Sequence, residues 1–348
     1  MLSLFSLISQ SSWSLFWNSC SISLRCCICG NIAFWIASTL NIYVDHLAYQ
    51  AYQRRRRRRR RRNTEAPNTA SSSTRTDDRA EATATTATAT AAAAASKNTV
   101  VSTSSSSSWG MIGEYLLQQK LQPTIHLSNV ELRNAILLSS LNMLLVAPLI
   151  CCPIFEIVWN YLHQEDRIQW YSSSYSSNSN LSSTSSSHFC WNWKREVLFI
   201  WPMNMILNEI SFYFVHYVLH HGKTATILNI PSLYQRIHKV HHTYTSPSAI
   251  CAAYAHPIEF VFGNVACIAL GPIVLNAHPY TCYVWFTLAM LSTCKGHCGY
   301  NIFNARTHDL HHQYFHFNYG VLHFGDYLMN TTFRSTNNKK ERKVGMDI

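Results

Sequence analysis

The chain has 348 residues, of which 47% are apolar and only 13% charged; soluble domains carry about a quarter charged residues, so an ordinary water-soluble surface is excluded and a membrane is expected. The formal net charge of +11 does not describe a nucleic-acid-binding surface, because Arg54 to Arg62 supply nine of those charges and 11 − 9 leaves +2 for everything else, with no diffuse basic patch to track phosphates. The twelve cysteines form no disulfide framework and are read as reduced or lipid-facing small hydrophobes.

Residues 1–50 are apolar and serine-rich. Their densest stretch, Asn31 to Val44, is shorter than the ~20 residues of a bilayer span, which leaves a signal-anchor, a signal peptide and an artefactual start all open. Residues 51–108 hold the arginine run and Ala/Thr/Ser repeats. They are expected to be disordered, because such a composition buries too little apolar surface to offset its ordering entropy. The arginine run itself reads as a solvated topology signal, an anionic-lipid contact or a nucleic-acid arm. A membrane-embedded catalytic domain is expected over 109–335, with a polar tail at 336–348.

Four spans are expected in that domain. Asn134–Leu162 contains Pro148 and Pro153; Glu196–Val215 follows; Pro257–Leu275 and Tyr280–Cys294 form a hairpin that turns at Asn276-Ala277-His278-Pro279. Cytosolic segments carry the excess of positive residues. Placing Arg54–Arg62 there sends the Ser172–Ser187 loop, with its Asn180-Leu181-Ser182 sequon, to the lumen, and leaves Gly222–His256 and Gly296–Ile348 on the cytosolic side. The expected fold class is all-α: a multi-span helical membrane protein with a cytosol-facing helical cap.

Eighteen histidines, most of them in the last third of the chain, carry the functional signal. His216 and His220 stand one helical turn apart at the end of a span, with His221 next. His238-Lys239-Val240-His241-His242 and His308-Asp309-Leu310-His311-His312 each place imidazoles at i, i+3 and i+4, a single helical face. Imidazole is a good ligand for iron and zinc, and three or four fill most of a coordination sphere. These eight exceed the needs of one ion and suit a di-metal site. Neither a Ser/His/Asp arrangement, nor a phosphate loop, nor a dinucleotide fingerprint accompanies them.

These motifs, together with Ser211–His216, Tyr234-Gln235-Arg236-Ile237-His238, Ala255-His256-Pro257-Ile258-Glu259 and Asn318-Tyr319-Gly320 through Asp326, resemble the fatty acid hydroxylase/sterol desaturase superfamily over Asn134 to Thr332. His297-Cys298-Gly299-Tyr300 resembles the H-x-G-Y element of its C-4 methylsterol oxidase branch. The resemblance implies a cytosol-facing site with two non-haem iron ions, O2 as oxidant, electrons from NAD(P)H through a separate b-type cytochrome and reductase, and a membrane lipid substrate (sterol or fatty acyl); Lys339-Lys340, short of the extreme C-terminus, bears on the expected residence in the endoplasmic reticulum. Carried over position by position, the implied ligands are His216, His220, His238, His241, His242, His297, His308, His311 and His312. Glu209, His221, Asp309 and Asp326 are the expected partners behind those ligands. His256 and Glu259 are read as structural, and His278, His316 and His323 as interfacial or core residues. Tyr217 stands where the family commonly has arginine, and Asn330-Thr331 where it has Gly-Thr. The expected function is O2-dependent hydroxylation of a lipid, as in a C-4 methylsterol oxidase. The alternatives are a fatty acyl or sphingoid-base hydroxylase or desaturase, a histidine-rich metal-binding or transport protein, and an inactive relative.

Overall fold

The structure is a computed structural model in which residues 20–65, 108–163, 192–221, 232–303 and 305–333 are described. Every element among these residues is helical, and the one strand-like contact is an isolated bridge between Lys120 and Tyr300. The Ser172–Ser187 loop, the Asn180 sequon, residues 66–107 and the 336–348 tail lie outside the described residues.

Among the described residues, four helices are long and apolar enough to cross a membrane, which marks an integral membrane protein. They are α1 (Ile22–Glu65), then, after a short α2 (Ser108–Gln119), α3 (Asn129–Leu162), α4 (Trp193–His221) and α6 (Pro257–Val274). Between α4 and α6 lie α5 (Leu233–Arg236) and two 3-10 turns, His238–Thr243 and Ala249–Ala253. The chain continues through α7 (Pro279–His297), α8 (Arg306–Tyr314) and α9 (Phe324–Leu328).

Three of the four expected spans are among these helices, and α1 joins them. The hairpin arm expected over Tyr280–Cys294 is helical, as part of α7, yet it is not among the helices apolar enough to qualify; α1 is. Two physical reasons account for this. The apolar part of α1 begins near Ile22, well before the dense stretch at Asn31. At its other end arginine, a good helix former, continues the helix through the charged run to Glu65, so residues 51–65 are helical rather than disordered. Along α1 one stripe is buried, Cys26, Phe34, Ser38, Asn41 and Ala48, while Ile32, Ile36, Leu40 and Tyr43 are exposed on the opposite side. The i, i+3, i+4 spacing of both stripes is that of a helix with one face on protein and one on lipid. The buried stripe packs on α7 and α2.

Polar side chains inside the bundle fasten the cap to the spans. From α3, Asn142 Nδ2 donates to Ala253 O at 2.9 Å and Ala255 O at 2.8 Å, and Ser139 Oγ donates to Ile250 O at 2.8 Å. From α1, Asn41 Oδ1 accepts from Ser248 Oγ (2.6 Å) and Ala249 N (2.8 Å), and its Nδ2 donates to Cys298 O (3.2 Å). In a low-dielectric surrounding an unpaired backbone group is costly, so these amides hold the irregular 248–255 segment where regular helix cannot. At the opposite end, Arg195 donates to Leu275 O (2.7 Å) and Asn276 O (3.1 Å), and Glu196 accepts from His278 N (3.2 Å). These bonds close the α6–α7 turn, where Asn276 takes a positive φ of 47°.

Candidate metal centre

The histidine motifs converge at one end of the bundle. His216, His220, His238, His242 and His311 form one group and His241, His297, His308 and His312 a second; within each, the ring nitrogens lie within 4.8 Å of one another. The groups abut, with the His242 and His312 ring centroids 4.7 Å apart. Thus the nine histidines implied by the sequence resemblance are those brought together. One expectation changes in detail. Each H-x-x-H-H motif was read as a single face, but each divides its rings between the groups: His238 and His242 against His241, and His308 and His312 against His311. The first of these segments is a 3-10 turn rather than an α-helix.

The hydrogen bonds of the outer ring nitrogens fix the tautomers. Nδ1 donates to a carbonyl oxygen in His216 (Tyr319 O, 2.8 Å), His241 (Tyr254 O, 3.1 Å), His297 (Thr293 O, 2.8 Å), His311 (Phe317 O, 2.6 Å) and His312 (Tyr244 O, 3.1 Å). In His238 it donates to Glu259 Oε1 at 2.7 Å. A carbonyl or carboxylate only accepts, so Nδ1 carries the proton and Nε2 presents a lone pair. Yet Nε2 faces Nε2: His216 and His238 at 3.1 Å, His241 and His297 at 3.2 Å. In both pairs the two tautomers are fixed, and no proton lies between the lone pairs. Two such lone pairs repel at this distance unless a cation sits among them. Burial supplies the same message for the cap residues. It holds His238, His242, His308, His311 and His312, each also beside other imidazoles, well below the ordinary imidazole range, and sets His241 at about 4. The donor set is neutral nitrogen, aimed inward, in two clusters, which fits two divalent transition-metal ions.

The supporting residues differ from those expected. Glu259 was read as structural; its buried carboxylate instead receives His238 Nδ1–H. Glu209 touches no ligand. It accepts from Val321 N (2.8 Å), Leu322 N (2.6 Å) and Gly325 N (3.0 Å). Asp326 accepts from Tyr319 N and Gly320 N, both at 2.8 Å, and from Thr331 Oγ1 at 2.7 Å. Together these carboxylates pin the 319–325 loop, which presents Tyr319 O to His216. A Cβ at residue 320 would run into the Glu209 carboxylate, so only glycine fits there. Asn330 takes φ 57°, a left-handed conformation that asparagine tolerates in place of the family's glycine. Asp309 Oδ2 accepts from Gln122 Nε2 at 3.1 Å rather than from a ring. His221 Nε2 meets Tyr319 Oη at 2.6 Å. Outside both groups, His256 and His278 accept from backbone N–H at the starts of α6 and α7, and His323 lies 3.4 Å from Asp326.

Two further supports were not singled out from sequence. Tyr319, fully buried, links His216, His221 and Asp326. On α1, Asn41 holds Cys298, next to His297, while Asp45 accepts from Lys120 Nζ and from Tyr300 Oη (2.8 Å). The H-x-G-Y resemblance marked Tyr300 without indicating what it meets, and nothing in the pattern of α1 advertises the pairing.

Comparison with known proteins agrees with this geometry: residues 201–331, which carry all nine histidines, match the family model for fatty acid hydroxylases. Residues 201–331 thus resemble a fatty acid hydroxylase domain. The chain is similar to fatty acid hydroxylase domain-containing protein 2 of Homo sapiens, 37% identical over 136 residues that cover 38% of each chain. It is 33% identical over 154 residues to a methylsterol monooxygenase of Aspergillus fumigatus, covering 40% of this chain and 49% of the relative. A very-long-chain aldehyde decarbonylase of Oryza sativa subsp. indica is 33% identical over 122 residues, 31% of this chain and 44% of the relative. The matches thus span less than half the length of each of these relatives. No solved structure matches.

Proposed function

We propose that the chain holds two iron ions through His216, His220, His238, His242 and His311 on one side and His241, His297, His308 and His312 on the other, and hydroxylates a membrane lipid with O2, the favoured substrate being a C-4 methylsterol. The observation that carries the reading is the inward convergence of nine imidazoles, six of which commit their outer nitrogen to a fixed acceptor. Iron so held would supply the oxidising power to attack an unactivated C–H bond. The chain's own part is to orient the rings through Tyr319 O, Phe317 O, Tyr254 O, Tyr244 O, Thr293 O and Glu259, and to keep the site dry. A small apolar cavity of about 60 Å³ lies between α1, α3, α6 and α7, lined by residues such as Met143, Phe155, Phe260 and Met290. The methylsterol monooxygenase relatives and the H-x-G-Y element favour a sterol over a fatty acyl or sphingoid chain. Electrons would come from NAD(P)H through a separate b-type cytochrome and reductase. The proposed membrane is the endoplasmic reticulum, and the arginine run supports a site towards the cytosol: through Asp45, Lys120 and Tyr300 it lies at the same end of the bundle as the histidines, and positive residues favour the cytosolic side. A transporter would place ligands near the bilayer midplane, whereas these flank the ends of the spans.

Complementation of a strain lacking sterol C-4 demethylation tests the proposal. Growth and loss of accumulated 4-methylsterols are expected with the natural chain and not with His241→Ala. Failure of the natural chain to change the sterol profile, with iron bound, would shift the substrate to a fatty acyl or sphingoid chain; purified protein without iron would end the reading.

A further inference from the structure

The arginine run does not stand alone in solvent. Beyond Tyr52 the helix α1 presents Arg55, Arg56, Arg59 and Arg60 to a cleft of about 460 Å³, which Lys120 and the neighbouring residues to Thr124 close from the other side. Of Arg55, Arg56, Arg59 and Lys120, two have a carboxylate partner: Glu114 pairs with Arg55, and Asp45 with Lys120. That leaves a surplus of two charges before Arg60 is counted. Guanidinium forks match phosphate oxygens bidentately. A group bearing more than one phosphate is therefore what the cleft fits in charge.

The second observation is α2, which forms part of the cleft through Leu117 and Gln118. Its Gly113 and Leu117 are buried against α1. Its other side exposes Trp109 (59%), Met111 (59%), Ile112 (42%) and Tyr115 (49%). An amphipathic helix that keeps such a face exposed beside a basic cluster has the form of an interfacial helix, apolar side chains among acyl chains and cations among headgroups. The Trp109 ring lies 6.4 Å from Tyr43, at the outer end of the apolar part of α1, so this face continues the lipid-facing stripe of that span. A soluble polyphosphate or an RNA would leave it in water.

The geometry points to a binding site for the phosphorylated headgroup of an anionic lipid, held by Arg55, Arg56, Arg59, Arg60 and Lys120 while the outer face of α2 rests among its acyl chains. This inference is independent of the proposed chemistry. The test uses the full chain in phosphatidylcholine nanodiscs with or without phosphatidylinositol bisphosphate, and measures lipid retained per chain by native mass spectrometry. The natural chain is expected to retain the bisphosphate lipid selectively. The variant R56Q/R59Q/R60Q should bind it about a hundredfold more weakly, from the contribution of each cation near an anionic surface. M111Q/I112Q should reduce its affinity to that of free inositol trisphosphate, and an unchanged gel-filtration profile of both variants would show that they fold. Equal retention by the natural chain and the triple arginine variant would overturn the site. Inorganic phosphate or inositol trisphosphate binding as tightly as the lipid would overturn the lipid as its source. A 20-nucleotide RNA that binds while the lipid does not would replace it by a nucleic-acid arm.

Discussion

At the scale of single residues, the centre depends on groups that never face its interior. Glu259 is the clearest. Its carboxylate fixes the tautomer of His238 and raises that ring's basicity as a ligand. Glu259→Ala is expected to weaken iron binding by about 10- to 100-fold, read as iron per chain against a competing chelator, while Glu259→Gln, which keeps an acceptor oxygen, should recover most of the loss. Protons compete for the same rings. His241 and its neighbours are neutral in the folded chain with pKa values below the unfolded value of about 6.5, so below that pH the unfolded chain takes up more protons. Stability of the metal-depleted protein is therefore complete above about pH 6.5 and falls as pH drops towards the folded value of about 4 for His241. The melting temperature in detergent should be lower at pH 5 than at pH 7.5 by more than about 5 °C; a flat profile would mean that the rings are not buried as neutral groups.

At the scale of elements, α1 is the unexpected member. Spacing in the motifs singled out eight of the nine histidines, and the resemblance at His297-Cys298-Gly299-Tyr300 supplied the ninth. What spacing could not reveal is which distant carbonyl each ring meets. That depends on the 319–325 loop and the 248–255 segment, whose shapes come from Glu209, Asp326, Asn142 and Asn41 rather than from local propensity. Glu209 was legible as a charged group in a span, which signals a role, but its partners were not, since a carboxylate can serve a loop as readily as a ring. For α1 the dense apolar core alone was too short; the whole helix is long enough because arginines can extend a helix whose apolar part is in lipid. Asn41→Leu leaves two donors and one acceptor in the cap without partners. It is expected to cost about 3 kcal/mol and to lower the iron content of the group containing His297. A variant with unchanged melting and full iron would show that α1 is only an anchor.

At the scale of the whole molecule, helices running in alternate directions bring segments more than 90 residues apart in the chain, His216 and His311, into one group. The sequence reading reached this arrangement by putting every motif at one membrane surface. The structure arrives at it through contacts, with Arg195 and Glu196 closing the far end and Asn41, Asn142 and Ser139 tying down the near one. Fold class and the residues to be gathered were legible; the division into two groups was not, because the sequence repeats one motif without saying how its rings turn.

That division has a consequence for assembly. Each H-x-x-H-H motif contributes to both clusters, so the backbone that settles around one ion also sets the rings waiting for its neighbour. Half-filled molecules should then be scarce: titration of the apoprotein with ferrous iron is expected to give mostly empty and doubly loaded species by native mass spectrometry, and a large singly loaded population would show that the two positions fill without regard to each other.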